Sequence, residues 1–389
     1  MNDVTEALEL LKRGAAKIIS EKELAEKLFR GKPLRVKLGV DPTAPDLHLG
    51  HSVPLTKLSQ FQNLGHDIVL IIGDFTATIG DPTGRSQTRP PLTRDEVMKN
   101  AKTYTDQAFK LLDKDRTEVV YNGEWFREMN YDRILQLNAK VTMQQMLQRE
   151  DFKSRIDRGE EVRLHELQYP IMQGWDSVEV RADVEIGGTD QLFNILVGRD
   201  MQKSEGMEPQ VVVVVPLLEG IDGVKKMSKS YGNYIGVTEA PGEIFGKAMS
   251  ISDELMGRWY PLLLGEALSP EAHPLEAKKR LATQLVERYH DLEAAEAELR
   301  NWNLRGKNAT EAELPMFSPG GEKRIIALVG NALNDCFGQK ESNANIRRMV
   351  EQGGIQLNGK KLTDPKAELD LPDGGVLRIG KKRMVRVQR

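Results

Sequence analysis

Apolar positions along this chain recur in two rhythms, and the points where one yields to the other outline its elements. Residues 3–31 carry aliphatic residues at helical spacing among Glu and Lys, which predicts two amphipathic helices. Ser20 with Glu23 makes a capping-box pattern for the second, and Gly31 followed by Pro33 stops it. Residues 36–40 alternate apolar and basic positions and predict a strand; 52–65 carry leucines and Phe61 at helical spacing. The β-branched run 68–72 fits a buried parallel strand. Thr93 and Glu96 open a helix expected to reach Leu112, and 119–121 reads as a short strand. Residues 131–180 read as helices with a loop near Gly159, Arg149, Asp151, Arg155, Asp157 and Arg158 being expected on a solvated face. A strand over 183–186, a turn at Gly187-Gly188 and Thr189 as N-cap of a helix to Met201 follow. The five valines 211–215 before Pro216 fit a central buried strand. Strands alternating with helices over 35–220 predict a doubly wound, Rossmann-like α/β domain on a parallel sheet.

Beyond Pro241 the pattern is helical (254–264, 271–290, 292–302), and no chemistry is visible there. Ser318-Pro319-Gly320-Gly321-Glu322 has the composition of a linker. The remainder holds a helix with paired Arg347 and Arg348 that feeds a Gly-Gly turn and a strand. The expected division is therefore 1–220, a loop and linker over 221–240, a helical domain over 241–317, and a small terminal domain over 322–389.

A chain of 389 residues has material for two or three domains. Its net charge of −3 excludes a generic polyanion binder, so any nucleic-acid surface must be local. Such a surface is on offer in the last ten residues, where Lys381, Lys382, Arg383, Arg386 and Arg389 stand without an acid. The single Cys336 excludes an internal disulfide framework and suits a reducing, cytoplasmic setting. No continuous apolar stretch marks a signal or a membrane span, and acidic residues near the start argue against a transit peptide.

Candidate chemistry begins at Asp41-Pro42-Thr43-Ala44-Pro45-Asp46-Leu47-His48-Leu49-Gly50-His51, between the first strand of the expected domain and its helix. In a parallel sheet this is the crevice where nucleotides bind. Two imidazoles three residues apart at a helix start can donate to phosphate oxygens, and Gly50 leaves room for a base to approach. The same pair could be two ordinary histidines or half of a metal site, though zinc wants three or four ligands and no third lies nearby. Asp81, in the polar loop after 68–72, could hold a substrate ammonium, or Asp81-Pro82 could simply turn the chain; Arg85 in the same loop can reach a phosphate. Tyr169, Gln173 and Asp176 fall on one helical stripe, a mixture of phenol, amide and carboxylate that suits a pocket or, alternatively, a surface. Gly187-Gly188-Thr189-Asp190-Gln191 follows a strand, where an acid commonly bonds a ribose.

His48-Leu49-Gly50-His51 and Lys226-Met227-Ser228-Lys229-Ser230, in that order, resemble the two signatures of class I aminoacyl-tRNA synthetases. The preceding Asp41-Pro42-Thr43 narrows the resemblance, over about 35–389, to bacterial tyrosyl-tRNA synthetases, in the subgroup with a Lys-Met-Ser-Lys-Ser loop. It implies activation of tyrosine with ATP, accompanied by Mg2+, and transfer to tRNA(Tyr). Thr43, His48, His51, Lys226 and Lys229 would be catalytic, with the two lysines on the β- and γ-phosphates. Asp41, His48, Gly50, His51, Arg85 and Asp190 would bind ATP. Gly39, Asp81, Tyr169, Gln173, Asp176 and Gln191 would bind tyrosine, Asp176 taking the phenolic hydroxyl. The end of the chain resembles an RNA-binding module shared with a ribosomal small-subunit protein, which carries tRNA contact to Arg347, Arg348, Lys381, Lys382 and Arg383. A homodimer is also implied, with no tightly bound cofactor or resident metal. Where the family often has a substrate-contacting tyrosine, this chain has Lys37, which either turns away or alters the base of the pocket. A tryptophanyl synthetase and a non-enzymatic RNA-binding derivative are the alternatives; the stripe counts against the first and both intact signatures against the second.

Overall fold

The computed structural model describes residues 2–43, 46–81, 92–303, 314–380 and 383–388, folded as two compact units, Met1–Asp291 and Leu292–Arg389. In the first unit lie β1 (Lys17–Ile19), β2 (Arg35–Val40), β3 (Asp67–Ile72), β4 (Thr117–Tyr121), β5 (Val184–Gly188) and β6 (Val211–Val215). They form one sheet in the order β1-β6-β5-β2-β3-β4. β2 to β6 are parallel, and β1 is an antiparallel edge on β6. The chain runs outward from β2 to β3 and β4, then returns to the other side of β2 for β5 and β6. The crevice beyond the carboxyl ends of β2 and β5 is thus the point where strand order reverses, the usual ligand position in such sheets.

The apolar runs explain this order. All five valines of β6, and Ile68 to Ile72 of β3, are buried, as strands covered on both faces must be. β2 is the exception: Lys37 is buried in an otherwise apolar stretch, and Gly39 on the same face is exposed. Two helices, Leu164–Glu179 and Leu192–Ser204, pack tightly beside this crevice. A Cβ on Gly174 would lie 3.1 Å from the backbone nitrogen of Gly198, so glycine there permits the close approach. Ile171, Met172, Trp175, Val197 and Met201 fill the contact.

Several expectations shift. β1 interrupts the region read as two helices; its three residues are too short to show a period. Ser20 and Glu23 do form the reciprocal capping box. The N-cap after β5 is Gly188, opening a short 3-10 turn over Thr189–Gln191, rather than Thr189. Arg149 and Arg155 are buried, not solvated: Arg149 pairs with Asp151 at 2.9 Å, and Arg155 with Glu166. Buried charge survives here because each guanidinium has a carboxylate.

In the second unit, β7 (Met316–Phe317), β8 (Ile355–Leu357), β9 (Lys360–Leu362), β10 (Val376–Ile379) and β11 (Arg383–Val387) form a sheet in the order β7-β11-β10-β8-β9. The helices Ile325–Phe337 and Asn343–Glu351 pack Leu328, Val329, Ile346 and Val350 with Leu377 and Val385. β7 precedes the expected linker 318–322, which therefore lies inside this unit. The helices Pro241–Ser250, Asp253–Trp259 and Pro274–Tyr289 belong to the first unit and Leu292–Asn303 to the second, so the boundary falls within the stretch expected as one helical domain.

Candidate active site

His48 caps the helix Leu49–Asn63 with its imidazole, Nδ1 accepting from the Gly50 backbone N–H at 3.1 Å. His51 Nδ1 accepts in return from the His48 N–H at 3.2 Å. Both rings are therefore neutral in this arrangement, each keeping Nε2–H as its donor. Burial holds His48 down to about 3, with smaller pushes from His51 and Lys229. Burial likewise holds His51 down to about 4. Neutral rings donate but carry no charge, so any phosphate charge must be met elsewhere. An added Cβ on Gly50 would lie 2.8 Å from His48 Cε1, so the room that glycine leaves is taken by the capping ring and not kept for a base.

Charge comes from the lysine loop, which is stitched to the same helix start. The Leu49 N–H donates to Ile235 O at 3.0 Å, and the Val237 N–H to Leu47 O at 3.0 Å. Met227 is buried and its N–H donates to Leu218 O, while Ser228 N–H donates to Asn233 Oδ1. These bonds leave Lys226 exposed and bring Lys229 Nζ to 3.5 Å from Asp46 Oδ2. The lysine loop is thus fastened at its root, with its ammonium groups at the crevice rim. Thr43 donates its backbone N–H to Asp41 O at 2.8 Å.

Asp41 extends β2 into the crevice. Its Oδ2 accepts from the Tyr169 hydroxyl at 2.9 Å and its Oδ1 from the Thr76 hydroxyl at 2.8 Å. A Cβ on Gly73 would collide with this Asp41–Thr76 pair, at 2.0 and 2.3 Å, which makes glycine obligatory after β3. Burial, then the nearby Asp41 carboxylate, raises the Tyr169 phenol well above its ordinary value, so it remains a donor. Gly39 is exposed, with nothing within 4 Å of its missing Cβ, and leaves open space beside β2.

Asp176, two helical turns on, is buried. Trp125 Nε1 donates to its Oδ1 at 3.0 Å and Asn122 Nδ2 to its Oδ2 at 3.3 Å. Burial pushes this carboxyl up to about 7 against the pull of Lys37, Asn122 and Trp125. Gln173, between the two, is joined to a polar chain: Asn194 Nδ2 donates to Gln173 Oε1 at 2.8 Å and to Gln191 Oε1 at 3.0 Å. Gln191 Nε2 then donates to Asp81 Oδ2 at 2.7 Å. Arg149 Nη2 stands 3.6 Å from Asp81 Oδ1. Asp190 is accessible but set in the crevice; partial loss of water, then Asp81, raises its carboxyl, and Lys226 opposes them. A Cβ on Gly188 would strike the Asp190 carboxylate at 2.4 Å.

Lys37 resolves toward the base of the pocket. Its Nζ donates to Glu185 Oε1 at 3.0 Å, Ser177 Oγ at 2.8 Å and Gln173 O at 3.1 Å. It is wholly buried beneath the Tyr169–Asp176 stripe. Sequence reasoning missed Thr76, Asn122, Trp125, Glu185 and Asn194. Glu185 had a signal: it is the lone acid in an apolar strand, as Lys37 is the one base inside the apolar run 36–40 of another, and the two are register partners.

Arg85, Lys381 and Lys382 lie outside the described residues. In the second unit Arg347 and Arg348 are exposed on a helix whose Ile346 and Val350 are buried, and Arg383 begins β11. Among the described residues no three His, Cys, Asp or Glu side chains gather as a metal site. No helix among them is long and apolar enough to cross a membrane.

The family model for class I tRNA synthetases (W and Y) matches residues 30–313. The chain is 49% identical over 391 residues to a tyrosine–tRNA ligase of Aquifex aeolicus, covering 98% of both chains. It is 46% identical over 398 residues to a tyrosine–tRNA ligase of Francisella tularensis, covering 100% of this chain and 99% of that one. Among solved structures, a tyrosyl-tRNA synthetase from Archaeoglobus fulgidus complexed with L-tyrosine superposes with a TM-score of 0.61. That match, at 24% identity, covers 76% of this chain and 99% of the other and speaks for the fold.

Proposed function

The chain belongs to the class I tRNA synthetases (W and Y), among the tyrosine–tRNA ligases, and we propose that it activates L-tyrosine with ATP and transfers the tyrosyl group to tRNA(Tyr). The observation that carries the choice of amino acid is the stripe with Tyr169 at one end and the buried Asp176 carboxylate at the other. Seven residues of helix span about 10 Å, which is close to the length of tyrosine. Asp81, Tyr169 and Gln173 would take the ammonium, with Gln191 beside them and Gly39 as the floor. Asp176 would accept from the phenol. A tryptophanyl pocket has no hydroxyl for that acid to meet.

ATP, entering with Mg2+, would lie against Asp41, Asp190 and the imidazole donors of His48 and His51, with Arg85 toward its phosphates. The tyrosine carboxylate attacks the α-phosphorus; the bond to the bridging oxygen breaks, and pyrophosphate leaves with the charge. Lys226 and Lys229 would meet that charge, and Thr43 lies on the same side. No protein group is bonded to the substrate. The terminal ribose hydroxyl of the tRNA then attacks the adenylate carbonyl and releases AMP. Positioning and charge stabilisation supply the rate.

The exposed Arg347 and Arg348, with Lys381, Lys382 and Arg383, would contact tRNA phosphates. Exposed Tyr131, Leu135, Met143, Leu147, Ile156 and Leu164 support a homodimer, since so many apolar side chains close together in sequence are unusual on a solvated surface. The reaction belongs in the cytoplasm, where tRNA is charged. Incubation with radiolabelled tyrosine, ATP and bacterial tRNA tests the reading. Label should enter acid-precipitable RNA; entry of labelled tryptophan instead would overturn it.

A further inference from the structure

Beneath the pocket, Glu185 is surrounded by donors. Its Oε1 accepts from Lys37 Nζ at 3.0 Å and Gln173 Nε2 at 3.3 Å, and its Oε2 from Ser177 Oγ at 2.8 Å and Gln210 Nε2 at 2.5 Å. Lys37 in turn spends its three protons on Gln173 O, Ser177 Oγ and Glu185. Both side chains are at least 99% buried.

A carboxylate can only accept, so each amide beside it must present its NH2 group. Gln210 shows how strong that demand is: its Nε2 turns to Glu185 although its own Oε1 is left buried without a partner. For Gln173 the consequence is directional. With Nε2 held on Glu185, Oε1 must face the other way, where it accepts from Asn194 Nδ2. Asn194, with NH2 toward Gln173 and Gln191, presents Gln191 with a donor; Gln191 thus receives on Oε1 and sends its NH2 to Asp81. Every amide between Glu185 and Asp81 has one direction, fixed by the carboxylates at the two ends. Without a carboxylate at either end, nothing in the chain would fix which end of each amide faces its neighbour.

We infer that the Lys37–Glu185 ion pair is a positioning device for amino-acid recognition, locking the Gln173 amide so that its carbonyl faces the substrate ammonium. Lys37 supplies the charge that balances Glu185 beneath the pocket, and Glu185 sets the amide. Neither touches substrate. The inference rests on the proposed tyrosine-activating reading.

The test compares the native chain with Lys37→Met/Glu185→Met, in which both charges go together and volume is kept. Native tyrosine-dependent ATP–pyrophosphate exchange is measured first, and its absence would overturn the functional reading itself. Two competitors of tyrosine are then used: tyramine, which has the ammonium, and 3-(4-hydroxyphenyl)propionate, which lacks it. The inhibition constant of tyramine should rise at least tenfold in the variant, and that of the propionate should change by less than threefold. The KM for tyrosine should rise more than kcat falls. Equal changes for both competitors, or none, would overturn the inference. Should the variant fail to fold, a joint neutron and X-ray structure of the native enzyme with tyrosine decides it. Gln173 deuterons on Glu185 and the carbonyl on the ammonium support the inference; the reverse orientation overturns it.

Discussion

Lys37 and Glu185 face each other on adjacent parallel strands, Nζ 3.0 Å from Oε1, both sealed from water. Removing one partner of such a pair leaves a buried charge alone, at a cost of about 3–5 kcal/mol. Lys37→Ala is therefore expected to lower unfolding free energy by that amount in urea titration at neutral pH. Lys37→Met/Glu185→Met should recover only part of it, because no charge is left alone but Ser177 and Gln210 lose their acceptor. A single-mutant loss below about 1 kcal/mol would place the pair among weak surface bridges.

In the proposed reaction Lys226 and Lys229 meet charge that grows only as pyrophosphate departs. Replacing either with Ala should lower kcat for exchange by roughly 10²-fold or more, in the range of other preorganised donors. ATP KM should change much less. An unchanged kcat with a raised KM, read from ATP titrations, would make them ground-state binders.

Asp176 is pushed to about 7, from an ordinary value of 3.8, chiefly by burial. Ionised, it is the stronger acceptor for a phenol. The kcat/KM for tyrosine should therefore fall as pH drops below about 7, reporting the free enzyme. For phenylalanine it should not. Asp176→Asn should flatten the profile and reduce discrimination against phenylalanine by roughly tenfold or more. The stability effect runs the other way: a raised carboxyl favours folding fully below its unfolded value, and that contribution is lost as pH rises through about 7.

The terminal unit offers a clean separation. β7 pairs with β11, so a cut at the apparent linker 318–322 would strand a strand of the terminal sheet. A chain ending at Asp291, where the first unit stops, should keep pyrophosphate exchange and lose most tRNA charging. Loss of both from a protein with native circular dichroism would contradict the division of labour.

What could be read beforehand was what is local. The His48–His51 helix start, the Lys226–Lys229 loop and the Tyr169–Asp176 stripe each lie within a few residues, where period and capping chemistry are visible. Asn122 and Trp125 reach Asp176 from the segment after β4, and Asn194 joins Gln173 to Gln191 from the next helix. Those meetings depend on strand order, which no local pattern states. Arg149 and Arg155 looked solvated because a charge's burial depends on its partner; Asp81 and Glu166, which meet them, lie on other segments. Gly50 was assigned open space that the His48 ring fills, a consequence of capping geometry.

Amino-acid-dependent exchange of labelled pyrophosphate into ATP, run against all twenty amino acids without tRNA, tests the central claim most directly. The account predicts exchange with tyrosine and background rates with phenylalanine and tryptophan. Exchange driven by tryptophan, or by none of the twenty, would contradict it.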